Sequence, residues 1–494
     1  MPAAGLAQAA KPGRAAAAKP VPTAVKKPQV PYEIPISVKT LENGMQIIVM
    51  PDSSVPLVTV ELAVRNGSFT EPPELNGLSH LYEHMFFKTN HATQIYRCEL
   101  LQIRNPQAFR QLKCDGELGL KTQVKDASYM GSIDQLGIVN NGTTREEVVQ
   151  YYFTTTSPNT PTAMKFIRDA ARFPVFDEEE FAREKEVVLG ELERNMSQPG
   201  YYLNQASLDK LFYKYPTRKS PGGTRATVAA ATTDQMRLIQ SRYYVPNNSA
   251  LVVTGDVDPQ AIFKLAEDLF GDWARTEDPF KKFPLVEHPP LTKSEGLIVE
   301  QPVQNVFAQI NWQGPSIGKD NAATYAADVF SFIIRQPDSR FQRAMVDSGL
   351  TTNTNIGYYT QQNVGPIQAI VLTTPEKSKA ALKALYNEIA QFDKPGYFTD
   401  AELENAKTLL EADDLFSREK LSEYGHTLSF WWSTTGIDYF RDYHKNLRAT
   451  TREDILKYIR TYIQGKPHVG VALISPEQQA IAKLTTEDLI GGKQ

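Results

Sequence analysis

Two histidines and a glutamate stand together in the run His80-Leu81-Tyr82-Glu83-His84. In an α-helix each residue advances about 100° around the axis, so His84 sits one turn beyond His80 and about 40° round from it, with Glu83 about 60° to the other side. The three polar side chains then share one stripe, while Leu81 and Met85 are left to pack elsewhere. Two imidazoles one turn apart can grip a single zinc ion, and a carboxylate beside them can take a proton from a water that such an ion activates. The bland alternative is a helix with two surface histidines and a solvated glutamate. Against it stands the scarcity of histidine, with 7 among 494 residues.

A catalytic zinc needs a third protein ligand and an open fourth position. Candidates lie in the run Phe181-Ala182-Arg183-Glu184-Lys185-Glu186-Val187-Val188-Leu189-Gly190-Glu191. Glu184 and Glu191 share a helical face, with Val187 and Val188 on or near it. Carboxylates on a partly apolar stripe are costly unless they meet a cation. A zinc ion held by another helix would supply one. Glu178, Glu179, Glu180, Glu186 and Glu193 are also near, so an ordinary acidic helix fits as well, and spacing alone does not single out Glu191.

The elements that must position these residues are legible in outline. Val38 to Met50 reads as a hairpin with Asn43-Gly44 as its tight turn, and Val55 to Val64 as a buried strand. Pro72 and Pro73 break the pattern before a helix opens near Leu78. Helical periodicity covers Ala163 to Phe173 and Glu178 to Arg194. A strand at Ser249 to Thr254 precedes a helix at Pro259 to Phe270.

The length predicts two large domains. Pro279, Pro284, Pro289 and Pro290 mark a linker over 278–293, between a metal-binding domain at 31–277 and a second domain at 294–494. The second half repeats the first. Thr155-Thr156-Ser157-Pro158 through Phe176-Asp177-Glu178 corresponds to Thr373-Thr374-Pro375-Glu376 through Phe398-Thr399-Asp400, and Leu251-Val252-Val253-Thr254 to Val471-Ala472-Leu473-Ile474.

Hydrophobic residues at 41% and charged residues at 22% are ordinary for a globular chain. A net charge of -4 excludes an electrostatic footprint for nucleic acid, and no run of eighteen apolar residues offers a membrane span. Residues 1–30, rich in Ala, Pro and Lys, read as a disordered tail. Ala7-Gln8-Ala9 resembles the small-residue end of a secretory signal without a preceding apolar region, so a periplasmic or exported protein is expected, with a cytoplasmic one as the alternative. Cys98 and Cys114 either form one disulfide or are two free thiols.

The inverted zinc motif His80-Leu81-Tyr82-Glu83-His84, taken with Glu191, resembles the M16 peptidases, the family of pitrilysin, insulin-degrading enzyme and the mitochondrial processing peptidase. Further segments carry the resemblance: His84-Met85-Phe86-Phe87-Lys88, Asn140-Asn141-Gly142-Thr143-Thr144, and Tyr244-Val245-Pro246-Asn247-Asn248 ahead of Gly255-Asp256. The resemblance extends from about Pro35 to the C-terminus. It implies an α+β fold of two homologous halves, each a mainly antiparallel sheet flanked by helices, arranged as half of a clamshell around a chamber. It also implies a zinc endopeptidase acting on peptides or unfolded polypeptides bound as an added strand. Glu83 would be the base, His80, His84 and Glu191 the Zn2+ ligands, Glu184 the residue that orients the site, and Asn140 a substrate contact.

Three features set the chain apart from that pattern or complete it. The span from His84 to Glu191 is longer than usual by about thirty residues, and the excess falls within about 89–126, a segment that holds both cysteines and flanks the site. The second half carries no metal site: Glu184 corresponds to Ala406 and Glu191 to Asp413, and Ala326-Ala327-Asp328 replaces the histidines, as is the family norm. Where the family places an Arg and a Tyr near the substrate carbonyl, this chain has Met345 and Thr352, with Arg340, Arg343, Tyr358 and Tyr359 as nearby substitutes. A heterodimer with a paralogous subunit that supplies the Arg and Tyr is therefore expected, with a homodimer as runner-up. The competing class of function is a noncatalytic assembly or peptide-binding subunit; the intact His80, Glu83, His84 and Glu191 argue against it.

Overall fold

In the computed structural model, which describes residues 35–492 apart from 119–120, 122–123, 125, 134–136, 215–219 and 286, the expected hairpin is β1 (Ser37–Thr40) and β2 (Gln46–Pro51). Beyond the Thr40–Gln46 pair, Leu41 N donates to the Met45 carbonyl and Gly44 N to the Leu41 carbonyl, so Leu41 to Gly44 forms the tight turn expected at Asn43-Gly44. Gly44 in it takes a positive φ of 91°, a conformation open to glycine at little cost. The Asn43 amide donates to the Phe270 and Trp273 carbonyls and ties the turn to the end of a distant helix. The tail expected at 1–30 lies outside the described residues.

Strands β3 (Leu57–Val64), β4 (Val139–Thr144), β5 (Val149–Thr156) and β6 (Ser249–Gly255) complete a first sheet in the order β1-β2-β6-β3-β5-β4. Among the described strands of this sheet only β2 and β6 pair in parallel. Every residue of β6 is buried, as expected for a central strand covered on both faces. β4 is the open edge and is largely exposed.

The second sheet holds β7 (Glu295–Glu300), β8 (Val306–Gln313), β9 (Asn353–Tyr358), β10 (Pro366–Thr373) and β11 (Val469–Ile474) in the order β7-β11-β8-β10-β9. Here β7 pairs in parallel with β11, and the other described pairs are antiparallel. Strand for strand, β7, β11, β8, β10 and β9 take the places of β2, β6, β3, β5 and β4, with the same directions. The repeat read from the paired threonine ends is thus a repeat of topology, and the chain adopts the expected α+β class.

The helices that cover these sheets and carry the site residues are α1 (Leu78–Phe86), α2 (His91–Arg104), α3 (Thr160–Arg172), α4 (Glu178–Met196), α5 (Pro199–Leu211), α6 (Asn321–Arg335), α7 (Ser378–Ile389), α8 (Asp400–Ser417) and α9 (Leu421–Thr434). Leu81 and Met85 of α1 and Ile167 of α3 bury with Val60, Leu62 and Leu251 in one core. Phe330 of α6 and Leu385 of α7 bury with Ile310 and Ile367 in the other. On its opposite face each sheet is covered by a helix from the other half. Leu203 and Leu211 of α5 pack on Val469, Val471 and Leu473 of the second sheet. α9 lies on β3 and β6 of the first sheet, where the buried Glu61 carboxylate accepts from Gln150 Nε2 at 3.0 Å and from Ser429 Oγ, and pairs with His426 Nδ1.

After α2 the chain turns through two short helices, Pro106–Gln111 and Cys114–Leu118. Cys98 and Cys114 are joined by a disulfide, with Cα atoms 5.4 Å apart, so the two cysteines are not free thiols. Among the described residues no helix is long and apolar enough to cross a membrane.

Candidate metal centre

α1 is held at its start, on its buried face and along its polar stripe. Its N-cap is Gly77, which has no side chain to satisfy the first backbone donors. Glu71 does this from outside the helix: Oε2 accepts from Gly77 N at 2.8 Å and Oε1 from Ser79 N at 2.6 Å. A carboxylate there also complements the positive end of the helix dipole. Behind α1, Tyr82 stacks on Tyr244 with ring centres 4.1 Å apart, Phe86 stacks on Tyr151 at 3.7 Å, and the Tyr151 and Tyr244 hydroxyls are hydrogen bonded.

The polar stripe meets α4. Glu191 Oε2 lies 3.7 Å from His80 Nε2 and 3.5 Å from His84 Nε2. One ligand atom from each of these residues falls within 4.8 Å of the others, and the trio is the only such group of His, Cys, Asp or Glu among the described residues. Tetrahedral zinc with bonds of about 2.0–2.1 Å requires about 3.3 Å between donor atoms, so the two histidine-to-Glu191 distances need only close by a few tenths of an ångström. Glu184, one face-repeat before Glu191, has Oε2 3.3 Å from His84 Nδ1, while its Oε1 meets Lys88 Nζ at 2.6 Å. That contact points the Nε2 lone pair of His84 toward Glu191. Val188 is buried behind this face, and Val187, between the two carboxylates in sequence, is 47% exposed.

The electrostatics suit a cation. Burial, reinforced by the neighbouring His84, pushes His80 down to about 4, so its imidazole is neutral and able to ligate near neutral pH. Burial pushes Glu184 up, but Lys88 and then His84 more than offset this and leave its carboxyl below the ordinary range. The donor set of two imidazoles and a carboxylate, with one position open, is the pattern of a catalytic zinc site.

Glu83, which interacts electrostatically with His84 and Glu191, is seated against β4. Its Oε2 accepts from Thr144 Oγ1 at 2.6 Å, and burial raises its pKa. β4 passes so close that a Cβ at position 142 would lie 2.5 Å from Glu83 Cγ, which requires Gly142. Asn140 lies on β4 opposite Phe153 and is exposed at the open edge. Gly142 and Thr144 stand in the segment that carried the resemblance, but their contact with Glu83 depends on strand register and has no signal in the sequence; the roles of Glu71 and Lys88 have none either.

At the repeat-equivalent place α6 packs on α8 through carbon. Ala326, Ala327 and Ala406 are at most 2% exposed. Met345 is fully buried in the second core, and Thr352 donates to the Leu372 carbonyl. Among the nearby substitutes, Arg340 pairs with Glu388, Tyr358 donates to the Pro315 carbonyl, and Tyr359 donates to Glu146.

Residues 47–99 and 120–221 match the insulinase family, peptidase family M16, and residues 230–410 match the peptidase M16 inactive domain. The zinc protease PqqE of Helicobacter pylori is 20% identical over 440 residues, covering 88% of this chain and 91% of that protein. Among solved structures, a protease from Helicobacter pylori aligns with a TM-score of 0.73 at 20% identity, over 89% of this chain and 99% of its own. The first half of the periplasmic protease PqqL from Escherichia coli aligns with a TM-score of 0.67 at 16% identity, over 93% and 96%. At these identities the structural likeness is one of fold.

Proposed function

The chain belongs to the M16 peptidase family, and from that premise we propose that it is a zinc-dependent endopeptidase with His80, His84 and Glu191 as ligands and Glu83 as general base. The observation that carries this reading is the convergence of the three donor atoms from α1 and α4, with an independently seated carboxylate alongside. Zinc, when bound, supplies a Lewis acid for the scissile carbonyl and acidifies the attacking water. Glu83, held with a raised pKa, accepts the water proton on its carboxylate and returns it to the leaving amine. Glu184 and Lys88 keep His84 in one tautomer and orientation. The open edge of β4, with Asn140 exposed on it, would receive a peptide or an unfolded polypeptide as an added strand. The test is metal content: the purified chain should carry about one zinc, and His84→Ala should lose it.

A partner subunit is part of the same proposal. Met345 is buried, Thr352 is engaged by backbone, and Arg340, Tyr358 and Tyr359 each have another partner, which favours an electrophile brought from outside this set, with the exposed Arg343 as the alternative within the chain. A paralogous M16 subunit that brings an Arg and a Tyr would complete the site; addition of such a chain should raise turnover of a peptide that the chain alone cleaves poorly. The Cys98–Cys114 bond supports a periplasmic or exported setting, where disulfides persist.

A further inference from the structure

The chain makes a detour between α1 and β4, and the insulinase-family match passes over residues 100–119 within it. The detour leaves the site at Lys88, paired with Glu184, and Thr89, whose hydroxyl donates to Glu180 at 2.8 Å. It returns through Val124, Ala127 and Tyr129, all buried in the first core, and leads into β4. Tyr96 of α2 packs against this return path, where a Cβ at Gly131 would lie 2.3 Å from its hydroxyl oxygen. The detour is therefore rooted at one end on the helix that carries the histidines and at the other on the strand that seats Glu83.

Beyond the Cys98–Cys114 clamp the detour is a finger. The end of α2 runs outward, the chain reverses at Asn105-Pro106, and the helix Pro106–Gln111 brings it back. Phe109 and the disulfide fill its small interior. Its outside carries Arg97, Arg104, Arg110 and Lys113, all exposed, and none meets a carboxylate at ion-pair distance among the described residues. Glu99, the only acidic residue from 97 to 113, is already paired with Lys121. Ile103, 82% exposed, stands among these cations. On a chain of net charge -4, these four exposed cations outnumber the nearby acidic groups Glu99 and Asp115 and give the projection a positive potential.

We propose that the finger, residues 97–113, is a specificity-determining surface that docks an acidic stretch of the polypeptide substrate while another part of the same polypeptide lies along β4. This rests on the peptidase reading of the site.

The test uses the full, disulfide-bonded chain carrying Glu83→Gln, so that binding is read without turnover. Two fluorescent peptides are compared that differ only in a flanking run of glutamates or of glutamines. The glutamate peptide should bind about tenfold more tightly at low ionic strength, with the advantage shrinking as salt is added. Arg104→Ala, Arg110→Ala and Lys113→Ala together should abolish the advantage and leave the affinity for the glutamine peptide unchanged. With Glu83 restored, the same preference should appear in kcat/KM. Equal binding of the two peptides, a preference that survives the triple substitution, or cation-dependent binding to phosphatidylglycerol vesicles in place of the peptide would overturn the proposal. Absence of cleavage with intact acid-selective binding would instead count against the peptidase reading.

Discussion

The Thr144 hydroxyl donates a 2.6 Å hydrogen bond to the carboxylate of Glu83 across 61 residues of sequence. This bond joins the residue proposed as base to the strand proposed to present the substrate, so a peptide added to β4 is placed relative to Glu83 by the sheet itself. Gly142, two residues before Thr144, makes room for the same carboxylate.

Gly142→Ala should therefore cost activity and spare the metal. The new methyl group would displace Glu83, and a misplacement of about 1 Å at a reacting group lowers the rate about 100-fold. Zinc content, set by His80, His84 and Glu191, should not change. Turnover at the wild-type level would show that the seat of Glu83 against β4 is unimportant.

Loss of the Glu184 carboxylate should weaken the metal without touching a ligand. Glu184→Ala leaves His84 Nδ1 without its 3.3 Å partner and Lys88 without its own, and removal of such an orienting carboxylate lowers metal affinity about 10- to 100-fold. Competition with a chelator measures this directly; an unchanged affinity would mean that His84 is oriented by packing alone.

Glu71 predicts a pH dependence of stability. Burial raises its carboxyl from 4.5 to about 7, and the Ser79 and Gly77 amides only partly oppose that rise. Between about pH 4.5 and 7 the folded chain then binds more protons at this site than the unfolded chain, so stability contributed by Glu71 is present at low pH and lost as pH rises through that window. Glu71→Gln is near-isosteric with the protonated side chain. The two proteins should melt together near pH 4.5 and the wild type should lose ground to the variant toward pH 7; parallel Tm profiles would contradict this.

Breaking the Cys98–Cys114 bond should loosen the finger alone. A clamp closing a loop of this length contributes about 3 kcal/mol by restricting the open chain. Cys98→Ser with Cys114→Ser should become sensitive to proteolysis within residues 99–113 while zinc content holds. Protection equal to wild type would show that Phe109 and its neighbours hold the finger without the clamp.

The site is readable in the sequence as far as it is local. His80, Glu83 and His84 share a stripe because one helical turn suffices to define it, and Glu184 and Glu191 share a face for the same reason. Which carboxylate meets the histidines depends on how α4 crosses α1, and only contact distances show Glu191 reaching both imidazoles while Glu184 reaches one. Gly142 and Thr144 are invisible in the sequence because their role is set by the register of β4 on β5. Glu71 escapes notice because it caps α1 from six residues before the N-cap, outside the usual capping position. The duplicated topology is legible because paired threonines end β5 and β10, whereas the exchange of α5 and α9 between the sheets has no local signature.

The most direct measurement is cleavage of a library of short unstructured peptides by wild type and Glu83→Gln, each with its zinc content determined and each assayed with and without candidate partner subunits. Zinc in both proteins with cleavage by wild type only is the predicted result, with a loss of at least about 100-fold in the variant. Cleavage by Glu83→Gln at the wild-type rate would contradict the assignment of Glu83 as base and, with it, the proposed mechanism.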